Sequence, residues 1–452
     1  MPHIDADIIV IGAGVSGLSV ANQLQLQLQS QPQNPQHKTV LILEARDRLG
    51  GRIHTHEIDN QFYDLGASWI HGITDNPISA IAQQHHIQTV VFNYQDAIFY
   101  KKNGLVLCEN EKEAFEAGLD YLMEQFETIS SPCQFNNAAE ALNSWLQSPE
   151  FHHLLTVDHH ASQSLFEQLQ TGLHEFFEAI AEDPCACTLE TLSPYFLQLE
   201  GFCEGDEVIF PRGYSQIIET LSKGLDIRLN HPVEHIQYLD NYVTVTTLDG
   251  QQFNTYKVVV TVPLGVLKKN KIHFTPALPE KTQEAIHQLG FGVFNKLFVT
   301  FEQAFWRKNS LNNVNSMYIH ESDYWLNFMD VSAIYQKPTL LFLFGGLSAK
   351  WLEECDEHTA WHELQESLRK VFDNVPAPIQ LIKTEWEKDI YTYGSFSYPA
   401  PNYSADQIAQ LKQPIDNKIF FAGEHLALLG AGTVHGAYQS GIDTARVVLS
   451  AQ

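Results

Sequence analysis

Basic residues are scarce. Lys and Arg total 27 against 54 Asp and Glu, a formal charge of −27 over 452 residues. A field of that sign repels nucleic acid and anionic membrane surfaces and attracts small cations. Long apolar runs are also missing: residues 7–18 and 258–263 are short or glycine-broken, well under the roughly 20 needed to span a bilayer. Residues 1–11 place no basic stretch before their apolar segment, and residues 448–452 carry no hydrophobic tail or sorting tripeptide, so neither a secretory signal nor an anchor is expected. Cysteine is dilute. There are 6 with no CxxC, and Cys185 and Cys187 form a lone CxC. Free thiols in a reducing, cytoplasmic setting are expected. The histidine pairs, such as His85-His86 and His159-His160, match no metal-ligand spacing, so no metal site is expected. What remains is an ordinary globular balance, 44% hydrophobic and 18% charged. Dominant disorder is excluded, and the length allows two large domains.

Residues 7–11 read as a buried parallel strand, followed by a glycine-rich turn, a helix from about Ser16 and a second strand at 39–43. This is a βαβ unit. Residues 23–36 are glutamine-rich and include Pro32 and Pro35; they read as a helix extension followed by a loop insertion. Helical periodicity marks 111–126, 138–147, 165–181 and 359–372. Strand patterns mark 242–248, 258–262, 296–301, 339–345, 380–386 and 418–422, with a closing helix from about Gly436. Nucleotide-type motifs at both ends predict an α/β fold: a Rossmann-like domain assembled from residues 4–78, 206–275 and 411–452. A second, α+β domain with a mixed sheet takes residues 79–205 and 276–410.

The sharpest local signal is Gly12-Ala13-Gly14-Val15-Ser16-Gly17 between the first strand and helix. Gly12 permits the tight turn, Gly14 lets backbone approach a pyrophosphate, and Gly17 lets helix and strand pack closely. The helix start offers unpaired N–H groups to phosphate. Glu44 closes the second strand, 27 residues after Gly17, with the glutamine-rich insertion explaining the long spacing. A carboxylate there accepts from ribose hydroxyls and disfavours a 2′-phosphate. Arg46, Arg48, Gly50, Gly51 and Arg52 then form a second glycine-and-arginine loop. A simple NAD enzyme has no need of it; a larger dinucleotide such as FAD does.

GAGVSGLSVA, LEARDRLGGRIHT, LGASWIHG and FFAGEHLALLGAGTVHGAYQSGIDTA together resemble the flavin-dependent amine oxidases. The resemblance points to the polyamine oxidase branch, related to the lysine-specific histone demethylases and monoamine oxidases. It implies non-covalent FAD, since no cysteine follows Cys355. It assigns Gly12, Gly14, Ser16, Gly17, Glu44, Arg46, Gly51 and Arg52 to the adenosine and pyrophosphate. Val233 falls where backbone reads the adenine edge. Gly66, Ala67, Ser68, Trp69 and Pro263 fall beside the cofactor. Gly423 and Glu424 fall near the pyrophosphate and ribityl chain, and Val434 matches a backbone donor to the flavin ring.

For chemistry, the resemblance implies that Lys296 reaches flavin N5 through a water and assists reoxidation by dioxygen. Trp386 and Phe396 stand in the segment that forms an aromatic cage around an amine. Thr433 occupies the opposite wall, which leaves the cage half open, and His71 lies at the substrate tunnel. The acids Glu200, Glu204, Asp206 and Glu207 precede FPRGY, and exposure is the ordinary fate of each. The implied reaction oxidises a small cationic amine, most simply a polyamine, with dioxygen, giving an aldehyde, an amine and hydrogen peroxide. No nucleic-acid or membrane partner is expected, and the oligomeric state stays open between monomer and weak dimer. Two alternatives are an L-amino-acid oxidase, which needs an arginine for the substrate carboxylate, and a flavin-binding interaction module without turnover.

Overall fold

The computed structural model describes residues 3–29, 39–92, 97–131, 134–199, 201, 203–238, 241–309 and 314–451. Five parallel strands form the first sheet, in the order Ile419–Phe421, Lys257–Val260, Ile8–Ile11, Val40–Leu43 and Asp226–Arg228. Their near-continuous apolar sequence follows from burial on both faces. Alternate residues serve opposite sides. Ile8, Val10, Ile42, Val259 and Phe420 join a core that includes Leu18 and Leu24 of the first helix and Ala445 and Val448 of the last. Ile9, Ile11, Leu41, Leu43, Val258, Val260 and Phe421 join a second core with Ile236, Val243, Val245 and Phe253. Those last residues belong to a four-stranded sheet built from Val233–Gln237, Val243–Thr247, Gln252–Thr255 and His273–Thr275.

The two chain ends meet through helices. The first helix, Val15–Gln29, lies against the closing helix, Val434–Ser450. Ser16 Oγ donates to Ala437 O at 2.9 Å and Ser19 Oγ to Tyr438 O at 3.0 Å. The backbones approach so closely that a Cβ on Gly441 would stand 1.9 Å from Ser19 Oγ and 2.5 Å from Ser16 O. The glutamine-rich stretch continues the first helix to Gln29; its remainder lies outside the described residues.

A six-stranded sheet forms the other half, in the order Gln380–Lys383, Phe294–Thr300, Thr339–Gly345, Trp325–Asp330, Ser316–His320 and Ala97–Tyr100. It is mixed: the pairing of 97–100 with 316–320 is parallel and the others are antiparallel. The helices Glu109–Glu127, Ala138–Leu146 and Gln163–Cys185 share an aromatic core with this sheet's edge, in which Phe126 stacks on Phe177 at 4.9 Å. Asn137 caps the second of these helices by accepting from Glu140 N. Asp356 caps Glu357–Arg369 by accepting from His358 N and Thr359 N. Three small sheets complete the fold: Trp69–Ile70 and Val90–Val91 flanking Val208–Ile209, Gly290–Gly292 against Phe396–Tyr398, and Thr55–Ile58 against Gln61–Asp64. Among the described residues no helix is long and apolar enough to cross a membrane.

Candidate active site

A cavity of about 890 Å³ opens where the parallel strands end. Ile11, Leu43, Thr261 and Gly423, each at or just past the carboxyl end of a strand, line it. Ligands of open parallel sheets sit at that edge. The volume falls near the top of the ~300–1,000 Å³ range of ligand pockets. The far wall comes from the six-stranded sheet through Phe294, Lys296, Tyr318, Asn327, Met329 and Leu343.

At one end the wall is built by the glycine-rich turn. Gly12 has φ of +105°, and a Cβ on Gly17 would lie 2.0 Å from Gly12 O. Neither position accepts a side chain. Gly14, Val15 and Ser16 face the cavity at the start of the first helix, where helix N–H groups lack intrahelical partners. Glu44 Oε2 accepts from Ala13 N at 2.7 Å and Oε1 from Arg46 N at 2.9 Å. Burial pushes its carboxyl up, and these two N–H groups oppose the rise. His231, Pro232, Val233 and Leu248 complete this end. Arg46 Nη2 pairs with Asp389 at 2.7 Å, with its guanidinium 5.1 Å from the Tyr391 ring. Arg52 Nη1 bonds Glu424 Oε1 at 2.7 Å and Ser395 O at 2.8 Å. Arg46 and Arg52, which the resemblance assigns to the cofactor, therefore both cross to the 389–424 region and bind it.

Toward the other end lie Lys296, Trp386, Phe396, Thr433 and His71. Lys296 is 4% exposed. Its ammonium donates to Gly66 O at 2.5 Å, Ser68 Oγ at 2.5 Å and Asp64 O at 3.1 Å, and it stands 5.5 Å from the Trp69 ring. Burial pulls its pKa down, while the Asp64 charge opposes the fall. Asn295, on the same strand, accepts from Thr384 Oγ1 at 2.9 Å and Trp386 N at 3.1 Å. That fixes Trp386 relative to Lys296, and Trp386 Nε1 then donates to Leu65 O at 3.1 Å. Phe396 pairs with Phe294, ring centroids 5.9 Å apart. Thr433 spends its hydroxyl on capping the closing helix, accepting from Gly436 N at 3.0 Å and donating to Gly430 O at 2.7 Å.

Pro263, Gly66, Ala67, Ser68, Trp69, Gly51, Glu424 and Val434 also line the cavity. Gly17 does not; it packs beneath the turn. Of the four acids before FPRGY, Glu204 and Asp206 are exposed, and Glu200 lies outside the described residues. Glu207 turns inward: its Oε2 lies 2.8 Å from His71 Nδ1, and its Oε1 accepts from Gly72 N at 3.2 Å. Tyr318, Asn327 and the buried Asp64 escaped the sequence reading. Asp64 ends the short strand Gln61–Asp64 directly before Leu65-Gly66, and a carboxylate following two aromatic residues at a glycine turn is the signal that marks it.

Residues 15–449 match the family described as flavin containing amine oxidoreductases. The chain belongs to this family. It is 30% identical to polyamine oxidase 2 of Arabidopsis thaliana over 439 residues, covering 96% of this chain and 86% of that protein. It is 31% identical to polyamine oxidase 3 of Oryza sativa subsp. japonica, covering 96% and 87%. Lysine-specific histone demethylase 1 homolog 2 of Arabidopsis thaliana is 28% identical over 98% of this chain and 58% of that protein. The family's cofactor is FAD, and the residues present fit it. The Gly12–Gly17 turn leaves a cradle that a Cβ would fill, Glu44 lines the cavity beside it, and one cavity runs from that cradle to Lys296 and Phe396.

Proposed function

We propose that this flavin amine oxidase acts on polyamines or their acetylated forms, with FAD held non-covalently in a Rossmann-like domain of residues 4–78, 206–275 and 411–452. Residues 79–205 and 276–410 supply the substrate side. The observation that carries the reading is the single cavity shared by the dinucleotide cradle and the Lys296–Phe396 region. Among the described residues no cysteine lines it. Its lining arginines, Arg46 and Arg52, are both paired with carboxylates, so neither is placed to hold an amino-acid carboxylate.

The residues' places around the cavity support the following roles. Gly12, Gly14, Ser16 and Gly51 bring backbone to the pyrophosphate, and Gly17 holds the turn from below. Glu44 takes the ribose, and Val233 the adenine edge. Arg46 and Arg52 tie the loops that enclose the dinucleotide. Gly66, Ala67, Ser68, Trp69, Pro263, Trp386, Gly423, Glu424 and Val434 wall the remainder. Phe396, with Phe294 behind it, offers a ring face to the amine and excludes water, while the small Thr433 leaves the opposite side open. His71, oriented by Glu207, hydrogen-bonds a substrate nitrogen, and the pair is the acidic feature a cation meets. Lys296 is a fixed cation beside the reacting centre, placed to offset negative charge as dioxygen is reduced.

The chemistry that bound FAD supplies is acceptance of a hydride equivalent from the amine α-carbon and return of two electrons to dioxygen, which leaves as hydrogen peroxide. The amine must shed its proton first. The iminium left behind takes up water and separates into an aldehyde and a smaller amine. The test is anaerobic bleaching of the purified yellow protein by spermine, spermidine, N-acetylated polyamines and L-amino acids, with peroxide measured in air. Bleaching by the polyamines is expected. Bleaching by amino acids alone overturns the substrate class, and no bleaching by any amine favours a flavin module without turnover.

A further inference from the structure

The helix Gly346–Glu354 follows directly on the strand Thr339–Gly345. Its buried stripe runs through Gly346, Ala349 and Leu352, and a carboxylate, Glu353, completes it at 3% exposed. An ionised group placed there is costly unless hydrogen bonds satisfy it. Glu353 Oε1 accepts from Asn295 Nδ2 at 2.7 Å and from Glu387 N at 2.8 Å, and its Oε2 accepts from Lys388 N at 3.1 Å. The Lys388 ammonium returns to Glu353 O. One carboxylate thus gathers a helix, the strand Phe294–Thr300 and the segment that carries Trp386. Neither Glu353 nor Asn295 lines the cavity. Asn295 and Lys296 are neighbours on one strand and point to opposite faces of the sheet, so the carboxylate works from behind the wall that holds Lys296.

From there the contacts lead back to the lysine. Asn295 Oδ1 accepts from Trp386 N at 3.1 Å, and Trp386 Nε1 donates to Leu65 O at 3.1 Å. The indole also lies against Gly66: a Cβ there would stand 3.4 Å from Trp386 Cζ2, and 1.7 Å from Arg52 O on its other side. Gly66 O is in turn an acceptor of the Lys296 ammonium, at 2.5 Å. Trp386 therefore braces the turn that grips the lysine, and the backbone just after Trp386 is what Glu353 holds. We infer that Glu353 is a positioning residue for Lys296. Through Asn295 and the N–H groups of Glu387 and Lys388 it fixes Trp386, whose indole keeps residues 65–66 in place around the ammonium. The inference rests on the part given above to Lys296 in the reduction of dioxygen.

Glu353→Gln keeps the shape of the side chain. Whichever way its amide turns, an NH2 group then faces an N–H donor: Lys388 N in one orientation, Glu387 N and Asn295 Nδ2 in the other. The backbone after Trp386 should loosen, and kcat/KM for dioxygen should fall on the order of tenfold, because small displacements beside a reacting centre are costly. The route of that effect is what tests the inference. Trp386→Phe, which removes the bond to Leu65 O, should lower the same parameter. Glu353→Gln/Trp386→Phe should then stay within about twofold of Trp386→Phe alone, because residues acting in one chain of contacts do not add. A purely structural loss acts independently of the indole, and independent effects multiply. A second readout needs no turnover. With fluorinated tryptophan at all 7 tryptophan positions, Trp386→Phe identifies the Trp386 fluorine resonance. Glu353→Gln should shift or broaden that resonance while those of Trp145 and Trp325, in the helical core, hold their places. Glu353→Asp, which keeps the charge but shortens the side chain, should move both readouts in the same direction by less, and replaces Glu353→Gln if that variant does not fold. An unchanged dioxygen parameter, effects that multiply in the double variant, or an unmoved Trp386 resonance overturns the assignment. A moved Trp386 resonance in a protein that no amine bleaches separates failure of the oxidase reading from failure of this one.

Discussion

Glu424 is a fully buried carboxylate that serves three separate stretches of chain. It accepts from Arg52 Nη1 at 2.7 Å, Ser397 Oγ at 2.5 Å and Gly432 N at 2.9 Å. Burial alone would raise its pKa; the Arg52 guanidinium and the Ser397 hydroxyl outweigh burial and hold it below the ordinary carboxylate range. A depressed folded pKa contributes stability above the unfolded value that is lost as pH falls through the folded one. Glu424→Gln should thus lower stability by about 1–3 kcal/mol at neutral pH and loosen flavin retention. The Tm gap to the parent should narrow below about pH 4; a gap that widens in acid would contradict the sign. Glu207→Gln is the companion test at the substrate side. It leaves the His71 ring without its anionic partner at 2.8 Å, so KM for a polyamine should rise on the order of tenfold while flavin content holds. An unchanged KM would remove the pair from substrate recognition.

At the level of elements, the sheet that carries the dinucleotide cradle was the readable part of the chain. Buried parallel strands announce themselves as apolar runs, and those at Ile8–Ile11, Val40–Leu43, Lys257–Val260 and Ile419–Phe421 fall within a residue or two of expectation. The closing helix starts at Val434 rather than Gly436 because Thr433 caps it. The hairpin Thr55–Ile58 with Gln61–Asp64 and the strands Ser316–His320 and Trp325–Asp330 escaped notice. The first has strands of only four residues each, and the other two form a hairpin whose outer strand is completed by Ala97–Tyr100, more than 200 positions away, which local pattern does not reveal. The same limit applies to the site. Motif residues were legible, but Arg52–Glu424, Arg46–Asp389 and His71–Glu207 are pairings over 136 to 372 positions. The helix pair itself is testable. Gly441→Ala puts a methyl 1.9 Å from Ser19 Oγ, so the helices must part, at a cost of about 1–3 kcal/mol. Because Ser16 and Val434 both wall the cavity, flavin content should fall with Tm. Thr433→Ala, which removes the cap and the bond to Gly430 O but leaves the helix contact in place, should cost about 1 kcal/mol and leave flavin content near that of the parent. If the two variants lose flavin equally, close packing of the helices is not what holds this wall of the cavity.

For the molecule as a whole, the decisive quantity is the charge of −27 set against a cavity whose substrate end holds few acids. Beyond Lys296 and His71, that end is walled by Phe294, Tyr318, Asn327, Met329, Leu343 and Phe396. Apart from the His71–Glu207 pair, such a surface offers a polycation little attraction once it is inside. Attraction must act earlier, during approach, through the summed field. Field-driven capture has a signature that a tight local ion pair lacks: it fades as the Debye length shrinks, from ~30 Å at 0.01 M salt to ~8 Å at 0.15 M. Across that range kcat/KM for spermine should fall on the order of tenfold, and less for a singly charged N-acetylated amine, because steering scales with ligand charge. The first-order rate of anaerobic bleaching at saturating amine should barely change, since it begins after capture. In Glu207→Gln the salt slope should persist, because one carboxylate is a small part of the field, even though KM has risen. If the slope instead disappears with Glu207, capture is local, and the acidic surface serves solubility rather than substrate delivery.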